Sequence, residues 1–145
     1  MGLVSRRISL LLCCAGLLLA AGCGEPRQHV VPVKGRVLYN DKPLAFGGVM
    51  FQPENGLPAR GTIQSDGTFT LTTYSNGDGG TVGMNKVRVT CFPSQSPEGA
   101  GDASKGELPT AGSLIPTRYN DYSTSELTIE IKPEGNDDVV IRLVD

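Results

Sequence analysis

"ARGTIQSDGTFTLTT", residues 59–73, carries the reading of the fold. Apolar side chains recur at every second place, with threonine or glutamine between them. That period belongs to strands, whose successive side chains point to opposite faces. Ser65-Asp66-Gly67 is a strong reversal signal, because glycine supplies the left-handed conformation that a tight β-turn needs. The stretch therefore predicts two strands joined by a turn. Ile63, Phe69 and Leu71 lie on the apolar side, and Thr62 and Gln64 face away.

The same period extends in both directions. "VVPVKGRVLY" (30–39) alternates through Val31, Val33, Gly35 and Val37 and predicts the first strand. "NDKPL" (40–44) predicts a turn with Pro43 fixing φ, and "GGVMFQP" (47–53) a strand with Val49 and Phe51 on one face. "TVGMNKVRVTCF" (81–92) puts Val87, Val89 and Cys91 in phase. "ELTIEIK" and "DVVIRLV" close the chain around the loop "PEGND". Residues 93–112, rich in Ser, Gly, Pro and Ala, read as a mobile loop, either an unselected insertion or a binding loop. No run past residue 29 has a long helical period. About seven short strands with closely spaced turns predict an all-β sandwich over residues 30–145. Hydrophobic residues make up 39% of the chain, enough to fill such a core.

The N-terminal segment has a different organisation. Arg6 and Arg7 precede a mostly apolar run, Ile8–Leu19, and then the small residues Ala20, Ala21 and Gly22. That is the order of a secretory signal peptide, residues 1–22. The apolar run is shorter than the ~20 residues of a membrane-spanning helix. Ala20-Ala21-Gly22-Cys23 resembles the lipobox of bacterial lipoproteins, with Ala20 where that family usually has leucine. The resemblance implies cleavage between Gly22 and Cys23 and acylation of the Cys23 thiol. Cleavage to a free secreted protein and retention as an uncleaved anchor are the alternatives. Acyl chains contribute about 0.8 kcal/mol per buried CH₂, so two or three of them would hold the protein on a bilayer. Gly24 in place of Asp favours an outer membrane or cell surface over the inner membrane. Residues 23–29 form a tether; the six from Gly24 to His29 reach at most ~20 Å.

Cysteine use fits this scheme. Cys13 and Cys14 lie in the leader, and Cys23 would carry lipid. Only Cys91 remains, so no intrachain disulfide is expected, and its alternating context predicts a buried strand residue. Net charge is -2 for the whole chain and about -4 without the leader, which gives no footprint for nucleic acid.

Four further motifs occur in order. They are "VKGRVLYNDKPLAFGGVMFQP" (33–53), "SDGTFTLTT" (65–73), "GMNKVRV" (83–89) and "IPTRYNDYSTSELTIEI" (115–131). Together they resemble small bacterial lipoproteins with a carboxypeptidase regulatory-like, transthyretin-type domain, over about residues 31–143. The resemblance implies a seven-stranded prealbumin-like Greek-key sandwich and no settled activity. Tyr119 and Tyr122 are expected to pack over one end, each hydroxyl with a partner. Ser123, Thr124 and Ser125 are expected to bridge neighbouring backbone amides before the strand at Leu127.

Candidate chemistry is sparse. His29 is the only histidine and lies in the tether, so a Ser-His-Asp triad or a two-histidine metal site has no basis. Transthyretin-like hydrolases of purine breakdown end in Tyr-Arg-Gly-Ser, whereas this chain ends in Arg142-Leu143-Val144-Asp145. Asn76 and Asp78 in "YSNGDGG" lack the further acids of a calcium loop, and Glu134, Asp137 and Asp138 read as solvated charge. No catalytic residue, metal site or cofactor is expected, and no ligand-binding residue is assigned. The expectation is a non-enzymatic envelope lipoprotein, held to the bilayer through acylated Cys23 and meeting an envelope protein or polymer. The alternative is a carbohydrate- or peptide-binding module, for which Tyr39, Tyr74, Tyr119 and Tyr122 are the candidate tyrosines in a chain without tryptophan.

Overall fold

The computed structural model describes residues 27–97 and 112–145. These form strands and turns with no α-helix: β1 (Val30–Val31), β2 (Val33–Tyr39), β3 (Lys42–Pro43), β4 (Gly47–Pro53), β5 (Ala59–Ile63), β6 (Thr68–Thr70), β7 (Gly80–Thr81), β8 (Gly83–Thr90), β9 (Leu127–Ile131) and β10 (Asn136–Leu143). Two short 3₁₀ turns, Pro93–Gln95 and Thr117–Asn120, punctuate the second half.

One four-stranded sheet runs β5-β4-β8-β9, antiparallel throughout. The other is built on β2, which pairs in parallel with β10 on one side and antiparallel with β3 and β6 on the other. β1 and β7 make a separate two-stranded piece. Pro32 explains that separation. It has no N–H to give to a ladder, so β1 pairs with β7 while β2 pairs with β10.

The two large sheets pack face to face over one core. Val33, Val37, Phe69, Ile141 and Leu143 come from the first layer, and Val49, Phe51, Ile63, Val87, Val89 and Ile131 from the second. The predicted phase holds on every strand named from sequence: Val31, Val49, Phe51, Phe69, Leu71, Val87, Val89 and Cys91 are all buried. Gly35 shares this inward phase. A Cβ there would lie 2.7 Å from Phe69 Cζ and 2.8 Å from Val139 Cβ, so only glycine lets β2 approach β6 and β10 so closely.

Two local expectations change. Ser65–Gly67 does make the expected reversal: the Gln64 N–H donates to Thr68 O at 2.8 Å, the Gly67 N–H donates to Gln64 O at 2.8 Å, and Gly67 has φ +82. Its two arms, however, do not form a two-stranded ladder. β5 pairs with β4, β6 pairs with β2, and the arms meet again only at Arg60 and Thr72. The hairpin is the corner that joins one sheet to the other. In "NDKPL" the reversal is confined to Asn40 (φ 48) and Asp41 (φ 62), and Lys42–Pro43 is already strand. Two adjacent left-handed residues suit the right-handed twist of flanking strands.

Candidate functional site

Strand alternation that sends Val33 and Val37 inward sends Lys34 and Arg36 outward from β2. Register then sets their neighbours: Lys34 lies opposite Thr70, and Arg36 opposite Thr68. On β5, Arg60 and Thr62 are outward, opposite Met50 and Gly48 of β4. Because β5 and β6 meet at the corner, these outer faces curve around a single concavity of about 1430 Å³. Arg142 and Val140 of β10 border it on one side, and Tyr74 and Asn76 on another. Among the described residues, Asp137 and Asp138 are its only lining carboxylates.

The charge balance of this face is opposite to that of the whole chain. Lys34, Arg36, Arg60 and Arg142 face two carboxylates, in a chain of net charge -2. Arg142 lies 3.9 Å from Asp41, both well exposed, a pairing that contributes little in water. Among the described residues, neither histidine nor cysteine lines the concavity. The arrangement suits reversible binding by charge and hydrogen bonds.

Three of the four perturbed carboxyls staple turns, and the fourth, Asp145, ties the chain end to Tyr39 and Asn40. Burial pushes the Asp78 carboxyl up, but N–H donors from Thr73, Ser75 and Tyr74, at 2.7, 2.8 and 2.9 Å, outweigh it and leave the group below the usual range. Its oxygens are thus committed to the 73–78 turn and not to a cation with Asn76. Asp66 is held low first by the Thr68 hydroxyl and amide, with a smaller contribution from Arg36. Asp121 is lowered chiefly by the Ser123 hydroxyl, and Asp145 by the Tyr39 hydroxyl and then Asn40. Among the described residues, no group of three or more His, Cys, Asp or Glu could hold a metal ion.

The tyrosines have varied fates. The Tyr119 hydroxyl accepts from the Val144 N–H at 3.1 Å and from Arg118 Nη2 at 3.1 Å. Tyr122 packs under the Arg88 guanidinium, 5.2 Å from its ring centroid, and its buried hydroxyl has no partner among the described residues, contrary to expectation. Ser125 is buried and donates to Val87 O, Thr124 donates to Arg118 O at 2.6 Å, and Ser123 donates to Asp121. The Ser125 hydroxyl also accepts from the Leu127 N–H at 3.4 Å, the expected bridge to a backbone amide at the start of β9, whereas the Ser123 and Thr124 hydroxyls donate to acceptors instead. Sequence reasoning also passed over Asn85. It is fully buried in phase with Val87 and donates to Thr81 O (3.0 Å) and Gly83 O (2.8 Å), bracing the bend between β7 and β8.

No family model matches the chain, and no curated protein matches it. Among solved structures it is similar to a DUF3823 family protein from Parabacteroides merdae, at 17% identity and a TM-score of 0.39. The match covers 80% of this chain and 46% of that one, so the chain spans less than half the length of that protein.

The predicted signal peptide 1–22, the cleavage position Gly22, the lipidation position Cys23 and tether residues 24–26 lie outside the described residues. Of the loop 93–112, residues 93–97 and 112 are described, and the first three form a 3₁₀ turn. Among the described residues no helix is long and apolar enough to cross a membrane. The set Lys34, Arg36 and Arg60 was not singled out from sequence. The alternation of β2 and β5 exposes each cation, but nothing local says that the two outer faces adjoin.

Proposed function

We propose that this chain is a lipid-anchored protein of the cell envelope whose β domain is a non-catalytic interaction module. The fold read for it is the seven-stranded prealbumin-like Greek-key sandwich of carboxypeptidase regulatory-like domains. The observation that carries the anchorage reading is the fastening of Arg27–His29 to the domain. The Gln28 N–H donates to the Tyr74 hydroxyl at 3.0 Å, and Val30 pairs with Thr81 immediately afterwards. Arg27 lies four positions after Cys23, a span of at most ~14 Å. Acyl chains on Cys23 would hold that end of the domain against the bilayer.

The same end exposes Leu57 (51%) and Met84 (58%). Leu57 sits in the β4–β5 loop beside Gly56, over which the Gln28 side chain lies. Met84 adjoins Asn85, which pairs with Pro53 at the last position of β4. A non-catalytic role is supported by the titratable groups, since each carboxyl with a lowered pKa owes it to hydrogen bonds within a turn or at a strand end.

Metabolic labelling with palmitate tests the anchor. Wild-type protein is expected to take up label, and Cys23→Ser to remain as unlabelled precursor. Unlabelled wild type in the membrane fraction, or in culture fluid, overturns the reading. A second reading, a polymer-binding module, is favoured by the cation-lined concavity.

A further inference from the structure

We propose that the concave face binds an acidic polysaccharide, a chain of sugars bearing carboxylates. This deepens the polymer-binding reading and does not depend on whether Cys23 is acylated.

The charge is in place before any ligand arrives. Lys34, Arg36 and Arg60 are exposed, make no ion pair among the described residues, and share one face. Lys34 and Arg36, two residues apart on β2, are separated by about 7 Å along the strand. Arg60 approaches from β5 across the corner, where it pairs with Thr72. The three cations therefore form a triangle and not a line, and a flexible polymer can meet all three at once.

The floor supplies the other half of the recognition. The Thr62 and Thr70 hydroxyls are exposed and have no hydrogen-bond partner among the described residues. A hydroxyl both donates and accepts, which matches the hydroxyls of a sugar. Met50 and Leu38 add small apolar areas for the C–H faces of a ring.

An acidic peptide fits less well. Peptides gain affinity by adding a strand to a free sheet edge. Here Lys34 and Arg36 lie on β2, which is paired on both sides, by β10 and β6, and the outer side of the edge strand β5 is taken at Arg60 by Thr72. The three cations are offered as side chains, and side-chain carboxylates on a peptide lack neighbouring hydroxyls.

The test is binding of the full chain to polygalacturonate, with polyglutamate and neutral dextran as comparators, by calorimetry at low and at raised salt. Polygalacturonate is expected to bind more tightly than either comparator, with affinity falling as salt screens the charges. Lys34→Gln, Arg36→Gln and Arg60→Gln are each expected to weaken it, and the triple variant by roughly tenfold or more. Lys86→Gln, on an outward position of β8 beyond the concavity, is expected to leave binding unchanged. These are exposed side chains, and a thermal melt of each variant confirms the fold. No polygalacturonate binding, equal binding of polyglutamate, or full binding by the triple variant overturns the proposal. Palmitate label on the same material is read separately, so loss of binding in labelled protein leaves the anchor reading standing.

Discussion

Phe51 on β4 and Phe69 on β6 meet across the two sheets, with ring centroids 6.1 Å apart and planes tilted by 46°. Both rings are buried, and the contact joins the layers near the centre of the core. Aromatic pairs in such tilted arrangements stabilise beyond simple burial. Phe69→Ala is expected to cost about 3–5 kcal/mol, because the sheets cannot collapse onto the space without breaking their ladders. Denaturant melts of the variant check this, and an unchanged midpoint would place Phe69 outside the core.

Asp78 organises its turn by accepting three backbone N–H groups, so Asp78→Asn is expected to destabilise the domain by about 1–2 kcal/mol at neutral pH. The sign with pH follows from the lowered pKa. A carboxyl more acidic in the folded than in the unfolded chain contributes its full stability above the ordinary range near pH ~4. That contribution fades as pH falls through the folded value. Asp66, Asp121 and Asp145 shift in the same direction. Thermal melts from pH 7 down to pH 2 should show a shallower acid decline in Asp78→Asn than in wild type.

Cys91 is 1% exposed, and burial pushes its thiol pKa up. Thiolate is the reactive form, so native protein should resist a thiol reagent that modifies denatured protein rapidly. Timed alkylation followed by mass spectrometry reads both rates at Cys91. Equal rates would mean that the strand end opens freely.

The absence of tryptophan makes a single introduced one a clean probe. If anchorage brings the β1–β7 end to the bilayer, Leu57→Trp and Met84→Trp in the lipidated protein should be quenched by brominated phospholipid vesicles. Leu114→Trp, in the stretch after the 93–112 loop and far from Gln28 along the chain, serves as the comparison. Uniform quenching, or none, would remove the proposed orientation.

Much of the layer structure is legible in local patterns. Val87, Val89 and Cys91 alternate because their strand has one wet and one dry face, and "SDG" turns because Asp66 accepts from the Thr68 amide two residues on while glycine takes the left-handed step. Asn85 breaks the pattern because the alternation rule reads polarity, whereas its buried Nδ2 donates to two backbone carbonyls inside, with Oδ1 left without a partner among the described residues. The concave site was less legible still. Lys34 and Arg60 are 26 positions apart, and each alone looks like ordinary surface charge.

Period-two hydrophobicity decided which side chains of each strand would be dry, and the small residues before Cys23 decided the expectation of a lipid anchor. Both follow from the chemistry of neighbouring residues along the chain. Pairing was decided only in three dimensions: β2 beside β10 in parallel, β5 and β6 parted into different sheets, and Lys34, Arg36 and Arg60 gathered on one face. A strand's backbone offers the same donors and acceptors to any partner. The choice falls to whichever arrangement buries all the apolar faces at once, and that is a property of the whole chain.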